Sequence, residues 1–147
     1  MLCTESGVYE ADLLIEGGVI REIGTGLSDA EAEVVEAKGK YVLPGAVDIH
    51  THMDLDVGIA RVIDDFYTGT IAAASIVDHM AFGPKDCSLW HQVKEYHRLA
   101  DGNAVVDYGF HGVFQHVNPQ VLEEMGEIAK EEGITSFKVY MTYGYGL

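Results

Sequence analysis

The chain has 147 residues, 48% of them hydrophobic and 22% charged, the balance of an ordinary globular domain and not of a disordered segment. Its 9 basic residues against 24 acidic ones leave a net charge of −15, which argues against nucleic acid and anionic membranes as partners, since both select basic patches. Cys3 and Cys87 form no disulfide framework or metal spacing, no apolar run approaches the roughly 18 residues of a membrane span, and residues 1–6 carry no signal-peptide pattern, so a reducing cytoplasm is the expected compartment.

Residues 1–44 read as short strands joined by glycine-rich turns. Asp12-Leu13-Leu14-Ile15-Glu16 turns at Gly17-Gly18 into Val19-Ile20-Arg21-Glu22-Ile23, a hairpin, and 33–37 and 40–43 follow as further strands. From Gly45 onward strands and helices alternate, which predicts parallel βα units with strands near 46–50, 75–79, 104–110 and 136–141. A helix over 65–74, with Phe66, Gly69 and Ala73 inward, runs directly into the strand at Ser75. Helix-to-strand connections normally take about 2–6 residues, so the helix is expected to end early or the strand to be shortened or displaced. Ser88 starts the next helix, with Leu89, Val93, Tyr96 and Ala100 inward and Asp101-Gly102-Asn103 as its exit. Asn118 caps a third helix, Pro119 suits its first position, and Val121, Leu122, Met125, Ile128 and Ala129 form its apolar stripe before Gly133. The acidic clusters at 31–36 and 123–132 read as solvated faces.

Chemistry concentrates at the ends of two strands. His50-Thr51-His52 closes the apolar run that contains Leu43, Ala46, Val47 and Ile49. Histidines at i and i+2 on a strand share a face and can hold one metal ion with two imidazoles at about 2.0–2.1 Å. Phe137-Lys138-Val139-Tyr140-Met141 sets a lysine inside a short apolar strand. A buried ammonium is costly, so such a lysine deprotonates, finds a carboxylate or is chemically modified.

These two segments do not stand alone. Pro44-Gly45-Ala46-Val47-Asp48-Ile49-His50-Thr51-His52, Asp56-Val57-Gly58-Ile59-Ala60-Arg61 and Asp64-Asp65-Phe66-Tyr67-Thr68-Gly69-Thr70 are followed by Asp78-His79-Met80-Ala81-Phe82-Gly83-Pro84. Asp107-Tyr108-Gly109-Phe110-His111-Gly112-Val113 and Ser136-Phe137-Lys138-Val139-Tyr140-Met141-Thr142-Tyr143 complete the series. In this order the chain resembles the dihydropyrimidinase and D-hydantoinase family of cyclic amidohydrolases, most closely its D-phenylhydantoinase branch, over nearly its whole length. The resemblance implies an α/β fold: the first half of a (β/α)8 TIM-like barrel in residues 45–147, preceded by part of a small β-sandwich in 1–44. Such barrels need about 250 residues, so the chain is expected to be an N-terminal fragment. Family members also carry a short Cys-Gly-Gly-Thr-Thr-like segment where this chain passes directly from Ala74 to Ser75.

By the same resemblance, His50 and His52 bind the more buried of two divalent cations, usually zinc. Lys138 is carbamylated and bridges both, and a metal-bridged hydroxide opens the ring amide of a small cyclic ureide. Tyr143 matches the tyrosine that binds the substrate carbonyl, and Leu55, Val57, Tyr140 and Leu147 fall where the family builds its substrate pocket. The family's other ligands, two later histidines and an aspartate, have no counterpart here. His79, His111 and His116 are read as strand-end or supporting residues, and His91 and His97 as helix-surface residues. The intact protein is expected to be a homo-oligomer, a tetramer by family, and the isolated chain inactive. Two alternatives remain: a dihydroorotase- or allantoinase-like enzyme, and a non-catalytic assembly homologue. Dihydroorotases place an arginine where this chain has Asp54, which disfavours an anionic substrate, and the assembly proteins have lost ligands that this chain keeps.

Overall fold

The computed structural model describes residues 1–80, 83–84 and 86–141. The chain divides into two compact units, Met1–Gly45 and Ala46–Leu147. In the first, β1 (Leu2–Thr4) pairs antiparallel with β2 (Gly7–Tyr9), and β3 (Asp12–Glu16) with β4 (Val19–Gly24). The second hairpin is the one expected at Gly17-Gly18, where φ values of +59° and +78° demand glycine. The expected strands at 33–37 and 40–43 do not form. Val34 and Val35 are 84% and 82% exposed, so their β propensity finds no neighbouring strand. Of the second segment only Val42 engages, in a single parallel bridge to Leu2.

The second unit is a parallel four-stranded sheet in the order β5-β6-β7-β8, formed by Val47–Thr51, Ser75–His79, Tyr108–Phe114 and Phe137–Val139. Three helices connect the strands: α1 (Phe66–Ala72), α2 (Leu89–Ala100) and α3 (Pro119–Glu131). β5 and β8 are the outer members of the sheet, as the alternating pattern predicts for half of a barrel. The third strand lies four residues later than expected at both ends. The amide of Ala104 is used by the Ala100 carbonyl and that of Val105 by the Thr70 hydroxyl, which withdraws this stretch from the ladder.

At the α1–β6 junction the helix stops at Ala72, Ala73 is already extended, and β6 keeps its full five residues from Ser75. Two residues therefore suffice for the connection, and the helix, not the strand, gives way. Asp65 starts α1 through a capping box with Thr68. Gly69 is needed for close packing: a Cβ there would lie 2.3 Å from the sulfur of Met53, the residue that follows His52.

Ser88 and Asn118 cap α2 and α3 through the amides of His91 and Val121. Gly133 follows α3 at φ +70°. The core between helices and sheet holds Phe66, Ile76, Met80, Val93, Tyr96, Phe110 and Ile128, with Phe66 edge-on to both Tyr96 and Phe110. Leu122, expected inward, is 56% exposed, and its place on the buried face belongs to Glu124. The Glu124 carboxylate accepts from the Leu89 amide at 2.7 Å and from Gln120 at 2.7 Å, so α3 satisfies an otherwise orphaned donor in the first turn of α2. Glu124→Ala is expected to lower stability by about 1–3 kcal/mol, because the Leu89 N–H is left buried without an acceptor. Urea denaturation checks this, with Glu124→Gln, which keeps the acceptor, falling closer to wild type.

Candidate metal centre

The ladder between β5 and β6 contains an irregularity that decides where the histidines point. Asp48 lies beside Ile76 and Thr51 beside Asp78, so three steps along β5 match two along β6. Ile76 and Asp78 share a face, and therefore Asp48 and Thr51 share it too. An unbroken strand would have put His50 and His52 on the face of Asp48. The extra residue of the bulge turns them to the opposite face, with His79.

There the three imidazoles meet. The ring centroids of His50 and His79 are 4.5 Å apart, those of His52 and His79 5.1 Å, and those of His50 and His52 5.2 Å. Each ring offers a nitrogen, and these donor atoms all lie within 4.8 Å of one another. His50 is exposed, His52 half-buried and His79 buried. His79, read as a strand-end or supporting residue, does end β6, and its ring nitrogen also joins this group. The signal for it was available: in a parallel sheet the last residues of adjacent strands lie side by side, and His79 ends β6 beside the end of β5.

Neighbouring groups fix the orientation and protonation of these rings. His79 Nδ1–H donates to the Thr51 carbonyl at 3.3 Å, which leaves Nε2 with its lone pair. Burial, with help from the Lys138, His111 and His50 charges, pushes His79 down to about 4. Burial, then Lys138 and His50, also lowers His52. Both are neutral imidazoles near pH 7, the form that binds metal. His52 Nδ1 is buried with no hydrogen-bond partner among the described residues, an uncommon state for a polar atom and one that a cation would relieve. The donor set fits a divalent metal of the zinc type.

Lys138 sits in β8 beside Val113 of β7, on the same face as His111, which in turn lies beside His79. It is half-buried, with Nζ 5.1 Å over the ring of Tyr140. His50, His52 and Lys138 thus share one face toward one end of the sheet, the end where parallel barrels carry their active sites. On the other face, Asp78 is fully buried, and its Oδ1 accepts from the Thr51 hydroxyl at 2.5 Å and from the Met53 amide at 3.1 Å. Burial raises Asp78 to about 6 despite these donors.

The remaining candidates are spread more widely. Leu55 and Val57 belong to a tight turn after β5, held by the Val62 amide on the Leu55 carbonyl and the Val57 amide on the Ala60 carbonyl. Asp54 is paired with Arg61 at 3.1 Å. Tyr143 and Leu147 lie outside the described residues. His97 of α2 is engaged by Asp101 at 3.1 Å and Glu132 at 3.5 Å, away from the cluster.

Comparison with known proteins finds similar chains and a similar fold. The D-phenylhydantoinase of Escherichia coli O1:K1 is 51% identical over 147 aligned residues, which cover 96% of this chain and 32% of the relative. The chain belongs to the D-hydantoinase/dihydropyrimidinase family. Among solved structures of this family, the dihydropyrimidinase from Brevibacillus agri superposes with a TM-score of 0.90 at 44% identity, over 99% of this chain and 32% of that one. A D-hydantoinase from Bacillus sp. AR9 gives 0.87 at 45% identity, over 98% and 32%. This hydantoinase-family chain therefore spans about a third of the length of the relatives it matches. No family model matches it. Among the described residues, no helix is long and apolar enough to cross a membrane.

Proposed function

We propose that this chain carries the first metal ligands of an enzyme that hydrolyses the ring amide of small cyclic ureides, hydantoins or dihydropyrimidines. The observation that carries the reading is the meeting of His50, His52 and His79 at one end of the parallel sheet, with Lys138 on the same face. In this reading His50 and His52 hold one divalent cation, zinc by preference, and His79 completes a three-nitrogen set. Lys138, if its amine took up carbon dioxide and released a proton, would become a carbamate whose oxygens could serve as further anionic ligands. Bound there, the cation supplies Lewis acidity that polarises a carbonyl and acidifies water to near pH 7.

The chain's own residues do the rest. The bulge in β5 aims two imidazoles into the cleft, Asp78 and His79 hold the backbone beside His52, and the lowered basicity of His52 and His79 favours the neutral, metal-binding form of those two rings. Tyr143, five residues beyond Lys138, donates its hydroxyl proton to the substrate carbonyl oxygen as negative charge develops on it. Leu55, Val57, Tyr140 and Leu147 are assigned to the ring substituent by the family resemblance alone. Asp54, already neutralised by Arg61, supplies no cationic grip for a carboxylate, so a neutral ring is preferred.

The first test is metal binding. Cobalt(II) titrated into the 147-residue chain is expected to bind at about one equivalent with a nitrogen-ligand absorption band, and His50→Ala or His52→Ala to abolish the band. A chain that takes up no metal, or takes it up equally well without these histidines, refutes the proposed centre.

A further inference from the structure

The bulge that aims His50 and His52 has a consequence for β5: between Asp48 and Thr51 the strand departs from its ladder with β6. The Ile49 carbonyl, directly before His50, lies in this stretch. Its hydrogen-bond donor is the side chain of His111, whose Nε2 lies 3.0 Å away although it belongs to β7, two strands over. The His111 ring crosses the face of the sheet to make this contact, passing 4.7 Å from the ring of His79. Its other nitrogen, Nδ1, meets the hydroxyl of Ser136, just before β8. A carbonyl oxygen can only accept, so Nε2 carries the proton, and the Ser136 hydroxyl, which can donate or accept, serves Nδ1.

We propose that His111 is a positioning residue for the metal centre: it fastens the Ile49–His50 peptide from across the sheet and so holds the bulge that presents both β5 imidazoles. This role rests on the proposed metal site. His111 is not itself a ligand, since both of its nitrogens are engaged, and it lies outside the group of three whose donor atoms converge. The arrangement ties all four strands to one point: β5 through Ile49, β6 through the His79 ring, β7 through His111 and the edge of β8 through Ser136. Groups that orient ligands in this way typically contribute about 10–100-fold to metal affinity.

The experiment uses cobalt(II) as probe and the 147-residue chain. Nitrogen-15 spectra of the metal-free protein are expected to show His111 as the Nε2–H tautomer; an Nδ1–H tautomer overturns the proposal. His111→Phe, which keeps a ring but has no donor, is expected to weaken cobalt by about 10–100-fold and to shift its absorption band. His111→Gln, which can return an N–H to the Ile49 carbonyl, is expected to recover most of the affinity, and Ser136→Ala to show a smaller loss in the same direction. Equal affinity in wild type and His111→Phe overturns the positioning role while leaving the metal site standing. Equal losses in His111→Phe and His111→Gln overturn it as well, because the hydrogen bond is then not what matters. Absence of cobalt binding in the wild type removes the metal centre and this role with it, and unaltered binding in His50→Ala does the same.

Discussion

A chimera in which this chain replaces the corresponding 32% of the Escherichia coli D-phenylhydantoinase is expected to open hydantoin rings, and its Lys138→Ala form to lose that activity by on the order of 10⁴-fold or more. The size of the loss follows from charge. An imidazole that binds a cation brings no negative charge, so a pair of dications held by His50, His52 and His79 alone would carry four uncompensated positive charges in a partly buried cleft. An unmodified Lys138 adds a fifth, and its ammonium already disfavours protonation of His52 and His79. Carbamylation reverses the sign at that one position and adds two oxygens. If Lys138 has the proposed role, alanine would remove the charge and the oxygens together, and groups that act as a unit fail together. Added acetate or propionate should restore part of the rate by occupying the vacated space with a carboxylate. Activity that survives Lys138→Ala without such an acid refutes the role given to Lys138. The 147-residue chain by itself, with zinc and bicarbonate, is expected to show no turnover; robust zinc-dependent turnover refutes that expectation.

The parts of the fold legible in the sequence are those governed by local chemistry. Gly17-Gly18 marks a hairpin because only glycine adopts its backbone angles cheaply, and Ser88 and Asn118 mark helix starts because each has an amide three residues on to satisfy. His50 and His52 stood out by their i, i+2 spacing at a strand end, and Lys138 because an ammonium is costly in an apolar strand. Features that depend on a partner elsewhere in the chain were not legible. Val34 and Val35 favour a strand but meet no neighbour to pair with. Glu124 has the composition of a solvated face, and its burial follows from the orphaned amide of Leu89, 35 residues away. The bulge is the clearest case. Period-two reasoning put His50 and His52 on one face correctly, but which face depends on the register against β6, and no residue of β5 announces the slip. His79 followed the same rule: its proximity to His50 is a property of two adjacent strand ends, not of either segment alone.

The second large effect is expected at Asp78, which lies outside the histidine cluster and faces away from it. Its Oδ1 takes two donors from the neighbouring segment, the hydroxyl of Thr51 and the amide of Met53, one on each side of His52. Asp78 is fully buried and Met53 is 7% exposed, so neither donor recovers a full set of water contacts when the carboxylate is removed. Each orphaned donor costs about 1–3 kcal/mol, and Asp78→Ala is therefore expected to lower unfolding stability by roughly 2–5 kcal/mol. The same change frees the peptide groups flanking His52, so cobalt affinity should fall by about 10–100-fold in whatever fraction remains folded. Asp78→Asn separates acceptor from charge. It keeps Oδ1 and places an amide where Oδ2, without a partner among the described residues, now lies. Most of the metal affinity should return in this variant even if stability does not, because orientation of His52 depends on the two hydrogen bonds and not on the charge. Chemical denaturation and metal titration on the same samples read the two quantities independently. If Asp78→Ala keeps its stability within about 0.5 kcal/mol of wild type, the residue is not the clamp its contacts describe. If asparagine and alanine lose metal equally, the carboxylate acts on His52 through its charge and not by fixing Thr51 and Met53.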